Sequence, residues 1–68
     1  MTWDHRVVHS ISGGEDIYAI HEAHYKDGQV VAHTENPVPV QAESIDGLRW
    51  VLTGMLLALD KEVLEAKE

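Results

Sequence analysis

Apolar and polar residues alternate along the first half of the chain and recur every three or four residues in its last third, so the hydrophobic period changes from strand-like to helical. From Trp3 to Ser12 the run is rich in β-branched residues and stops at Gly13-Gly14, a pair able to take the positive φ of a tight turn. Asp16 to Tyr25 and Gln29 to Glu35 are two further strand-like runs, separated by Asp27-Gly28, the strongest short hairpin signal. Asn36-Pro37-Val38-Pro39 ends the third run, because neither proline can donate to a sheet ladder. At Glu43-Ser44-Ile45-Asp46 a helix opens: Ser44 can cap it and two carboxylates lie near the positive end of its dipole. Gly47 stands where the glutamate of a reciprocal capping box would be. The spacing of Ile45, Leu48, Leu52, Met55, Leu59 and Val63 predicts one buried stripe on a helix that reaches at least Asp60. Residues 61–68 are expected to fray. The order predicts an α+β fold: a three-stranded antiparallel sheet (β-β-β-α) with one C-terminal helix packed on one face, in a single domain over 1–68.

The helix carries more apolar surface than one sheet can cover. Beside the stripe stand Trp50, Val51, Leu57 and Ala58, with Gly47 and Gly54 at the same general angle. A helix apolar nearly all round is buried on more than one side, and the chain has no second helix to supply the extra layer. A homodimer is therefore expected through Gly47, Trp50, Val51, Gly54, Leu57 and Ala58, a twofold contact pairing this face with itself. Two other occupants stay open: a sheet edge or the Pro37 to Val40 segment under Trp50 and Leu57, and a different protein. Length favours association, since a chain of 68 residues buries only about 60% of its unfolded surface. With no cysteine, neither disulfides nor thiolate metal sites can compensate.

Twelve acidic residues against five basic ones give a formal charge of -7, which repels phosphates and anionic membranes. No direct nucleic-acid or membrane partner is expected, whereas a basic protein partner would suit this charge. The longest apolar stretch, Trp50 to Leu59, falls well short of the roughly 20 residues of a membrane-spanning helix. Met1 to Arg6 lacks the features of a secretory signal, and with the absence of cysteine this leads to an expected cytoplasmic setting.

Candidate chemistry rests on five histidines. With Asp27 and Gly28 as the central residues of a type I′ turn, Lys26 opposes Gln29 and the register follows. Ile17, Ala19, His21, Ala23 and Tyr25 then share the expected helix-covered face with Val30, Ala32 and Thr34. The other face carries Tyr18, Ile20, Glu22 and His24 with Val31, His33 and Glu35, and sets Glu22 opposite His33. Glu22, His24, His33 and Glu35 thus form a weak candidate set for a zinc-like ion, two nitrogen and two oxygen donors on one pleated surface. Cross-strand histidines more often serve as solvated or salt-bridged residues, so no metal or cofactor is expected. His5 and His9 share a face of the first strand, and the turn at Gly13-Gly14 leaves open which one. Ser10, Ser12, Ser44 and Thr53 have ordinary structural places, and Gly13-Gly14 lacks the helix and lysine of a phosphate loop, so no enzyme is expected.

Tyr18-Ala19-Ile20-His21-Glu22, Thr34-Glu35-Asn36-Pro37-Val38, Glu43-Ser44 and the helix through Leu59-Asp60-Lys61 together resemble a family of short, uncharacterised bacterial proteins. That resemblance implies no particular activity, and Trp50, Val51 and Leu57 depart from its more acidic outer helix face. Ala42-Glu43-Ser44-Ile45-Asp46 is also similar to the helix start of HicB-type antitoxin domains. That similarity implies a basic, RNA-cleaving toxin as partner, although the glycine and cysteine turn usual before that helix is missing.

Overall fold

The computed structural model describes residues 2–66. Strands β1 (Thr2–Ser12), β2 (Glu15–Lys26) and β3 (Gln29–His33) precede helix α1 (Ile45–Ala58), and a short β4 (Leu64–Glu65) follows it. The fold is α+β, as the change of period predicts. Its sheet, however, is mixed and four-stranded, in the order β3-β2-β1-β4. Both hairpins turn on two residues with positive φ: Gly13 and Gly14 between Ser12 and Glu15, Asp27 and Gly28 between Lys26 and Gln29. These are the left-handed conformations that a two-residue turn needs to match strand twist, and glycine reaches them without strain.

The turn at Gly13-Gly14 fixes the register left open by the sequence. Trp3 pairs with His24, His5 with Glu22, Val7 with Ile20 and His9 with Tyr18, so these residues share one face. The helix lies on that face: Trp3 and Trp50 meet edge to face with centroids 6.4 Å apart, and Gly54 sits directly against the His5 ring. The expected helix-covered face is therefore the opposite one. His21, Ala23 and Tyr25 lie there beside Arg6 and Val8, on the side the helix does not cover.

A second departure lies at the β2–β3 pairing. Lys26 faces Gln29 and Tyr25 faces Val30 as expected, but the register then slips, so that His24 faces Ala32 and Ala23 faces His33. One extra residue on β3 turns every later side chain to the other face. His33 consequently joins His21, their rings 5.5 Å apart. Both imidazoles donate from Nδ1 to the carbonyl of Thr34, at 2.9 and 2.7 Å, which uses that oxygen's two lone pairs and holds the chain where it leaves β3.

Helix α1 starts as its sequence indicates, with the Ser44 hydroxyl accepting from the Gly47 amide at 3.0 Å. It ends at Ala58, two residues short of the expected reach. The segment expected to fray is partly structured: Leu64 and Glu65 pair in parallel with Val8 and His9, and the Ala66 amide donates to the His9 carbonyl. Lys67 and Glu68 lie outside the described residues. Buried apolar side chains among those described are few: Val7, Val8, Ala23, Met55 and Ala58.

Candidate functional site

The side of α1 that meets the sheet is the side with the small residues. Ala58 is fully buried, Gly54 touches His5, and Gly47 and Val51 are half-buried. Of the six residues expected at a self-association face, Ala58 is buried, Gly54 lies against His5, Val51 is half-buried and Gly47 lies against Ser44 and Ala42, while Trp50 and Leu57 remain exposed. Of the expected core stripe only Met55 is buried; Leu48 is half-buried, and Ile45, Leu52, Leu59 and Val63 are exposed. The physical reason is interlocking. Strand β1 presents the large rings of Trp3 and His5, and the helix can settle over them only where its own side chains are small.

This choice leaves the bulky residues outward. Ile45 is 72% exposed, Leu52 48%, Leu56 67% and Leu59 63%, and with Leu48 they line one side of the helix at spacings of three and four. A shallow groove of about 310 Å³ runs between Ile45, Leu48, Leu52 and Leu56. Arg49 borders it, paired with Asp46 at 3.1 Å. No family model, curated protein or solved structure matches this chain.

The metal candidates are not brought together. Glu22 and His24 lie on the helix side of β2, 3.7 Å apart, whereas His33 is on the other face and bound to Thr34. Glu35 borders the hollow beneath His33. Among the described residues no group of three or more potential ligands could hold a metal ion. The β-bulge is the cause, and no residue in the run Val30-Val31-Ala32 announces it.

Two polar clusters escaped the sequence reading. In the first, the buried Arg6 guanidinium donates to the Tyr25 hydroxyl and to the Glu62 carbonyl, each at 2.6 Å, and so ties the segment after α1 to the sheet. Asp4 next to it pairs with Lys61. Burial opposes ionisation of Asp4, but hydrogen bonding from Lys61 and Tyr25 and the charges of Lys61 and Arg6 together outweigh it and hold the carboxyl below its usual range. Asp4 Oδ1 itself is buried and completes no hydrogen bond among the described residues.

In the second cluster, His9 lies between Asp16 of β2 and Glu65 of β4, with both ring nitrogens 2.8 Å from a carboxylate oxygen and Tyr18 stacked on the ring at 4.9 Å. Hydrogen bonds to Glu65 and then to Asp16 raise the His9 pKa above its ordinary value, against a smaller desolvation effect. A histidine whose folded pKa is raised stabilises fully below the unfolded value of about 6.5, and loses that contribution as pH rises through the folded value. Melting temperatures measured from pH 6 to 8.5 are expected to fall more for wild type than for His9→Gln. Parallel curves for the two proteins would show that the clamp contributes nothing.

Proposed function

We propose that this protein is a non-enzymatic interaction module of the cytoplasm whose working form is a homodimer built on the outer face of α1. The observation that carries the reading is the outward row of Ile45, Leu52, Leu56 and Leu59 on a helix whose small residues are turned to the sheet. Such a row exposes area that water disfavours by about 25 cal/mol per Å², and a fold with so few buried apolar side chains gains much by covering it. A second copy suits the geometry. Ile45, Leu52 and the cap residue Leu59 recur every seven residues along a helix of 14, about 21 Å long, so two antiparallel copies crossing at Leu52 set Leu52 against its own copy on a twofold axis and Ile45 against Leu59 on either side. A stable interface of about 800 Å² per partner would cover roughly a sixth of the 5220 Å² surface.

Cysteine-free composition supports the proposed setting, and no helix among the described residues is long and apolar enough to cross a membrane. Sedimentation equilibrium tests the dimer. Wild type is expected to be dimeric at micromolar concentration, and Leu52→Glu combined with Leu56→Glu should give a folded monomer, since two carboxylates would be buried at the centre of the contact. A wild-type monomer at high micromolar concentration, or a double variant that still dimerises, would overturn the reading. If the monomer instead captures a basic protein through Leu52 and Leu56, the leucine row serves a different partner and the homodimer is wrong.

A further inference from the structure

On the other flank of α1, sharing only Thr53 with the groove beside the leucine row, a hollow of about 440 Å³ opens between the helix and β1. Trp3, Trp50 and Leu57 form its apolar walls, and the Asp4–Lys61 ion pair stands at its rim. His5 lines it as well. That imidazole is only 8% exposed, meets Trp3 edge to face at 5.3 Å, and has no hydrogen-bond partner among the described residues. Its Nδ1 is the ring atom turned to Gly54, which leaves Nε2 as the position available for a hydrogen bond. The ring is nine-tenths buried, yet neither nitrogen is among the fully buried atoms that lack a partner, so an accessible imidazole nitrogen stands in an otherwise apolar hollow, the single polar group that could orient a guest.

We propose that this hollow binds a small planar phenol, its ring among Trp3, Trp50 and Leu57 and its hydroxyl on His5 Nε2. The volume lies in the range of small-molecule sites and suits one or two fused rings. Aromatic walls set edge to face favour an aromatic guest over an aliphatic one, because ring edges and faces attract beyond simple area burial. A hydroxyl suits His5 in either neutral tautomer, since it accepts from Nε2–H and donates to bare Nε2. Asp4 and Lys61 neutralise each other at the rim, which leaves no unpaired charge to select an ionic ligand.

The chain's two tryptophans both border the hollow, so their indole N–H resonances report on it directly. Titration with p-cresol at millimolar concentration is expected to shift both signals, and toluene, which keeps the ring but lacks the hydroxyl, should bind about tenfold more weakly, the effect of one hydrogen bond. His5→Phe preserves the ring and its edge contact with Trp3 but removes both nitrogens, and should reduce p-cresol to the affinity of toluene. Trp50→Ala, at a largely exposed position, should weaken both probes while leaving the circular dichroism spectrum of the fold unchanged. Leu52→Glu with Leu56→Glu should leave p-cresol binding unchanged, which separates this site from the dimer. The proposal fails if p-cresol shifts neither indole, if it binds no better than toluene, if Trp50→Ala leaves its affinity intact, or if the shifts centre on Leu52 and Leu56.

Discussion

Arg6→Met is expected to lower the melting temperature by roughly 8–16 °C, the shift that a loss of about 2 kcal/mol produces in a domain of this size. Replacing an entire buried ionic group by apolar residues can be neutral, but here only one member is replaced. Methionine fills the space of the arginine stem, yet the Tyr25 hydroxyl and the Glu62 carbonyl lose their charged donor, and the Asp4 carboxylate is left with Lys61 alone. Hydrogen bonds to a charged group contribute about 1.5–3 kcal/mol each, and a buried acceptor left without one costs a similar amount, so the loss of contacts exceeds any gain from removing the charge. The damage should be local first. Hydrogen exchange at the Ala66 amide, which is bonded to the His9 carbonyl, should accelerate before exchange within the β1–β2 hairpin. An unchanged melting temperature, or uniform acceleration at all sites, would refute the role given to Arg6 as the tie between the sheet and the chain beyond α1.

Gly54→Val should destabilise by a comparable amount, although helix propensity alone argues the reverse. Glycine inside a helix costs about 1 kcal/mol relative to alanine, so most substitutions there ought to help. A Cβ at this position, however, would lie 2.8 Å from His5 Nδ1 and 3.4 Å from Cε1. The ring cannot swing away freely, because it is buried and held against Trp3. Overpacking of this kind costs about 1–3 kcal/mol, and valine adds two further methyl groups to the clash. A double-mutant cycle isolates the cause. In a His5→Ala background Gly54→Ala should turn neutral or stabilising, with a coupling of about 1–3 kcal/mol. Additive effects would mean that the glycine is needed for some reason other than the imidazole.

Features set by neighbouring residues were legible in the sequence, and those set by distant ones were not. The Asp27-Gly28 hairpin, the Gly13-Gly14 turn and the Ser44 cap follow from residues within four positions of one another, and all three stand in the structure. The bulge after Tyr25 is a single-residue slip without a glycine or proline to mark it, and it moved His33 away from Glu22 and His24. Which side of α1 meets the sheet was ambiguous because the helix is apolar nearly all round, so periodicity admitted two answers. The choice between them lies in the fit of Gly54 to His5, a relation no local pattern contains. Strand β4 has only two residues, and its one apolar member, Leu64, gives no strand signal by itself.

That strand has a consequence for how the molecule assembles and comes apart. His9 and Glu65 are 56 positions apart, so their contact closes a loop containing both hairpins and the helix. Chain entropy charges about 3.5 kcal/mol for such closure, beyond a constant term, and a two-residue ladder cannot supply that alone. Strand β4 is therefore expected to dock after the rest has formed and to leave first. Each departure bares the outward amide and carbonyl groups of β1 around Val8 and His9, an edge that β4 of a neighbouring copy fits as well as its own. Reciprocal exchange of this strand between two molecules would preserve its pairing with Val8 and His9, so whatever loosens Arg6 or His9 also opens this edge to strand exchange, independently of the leucine row.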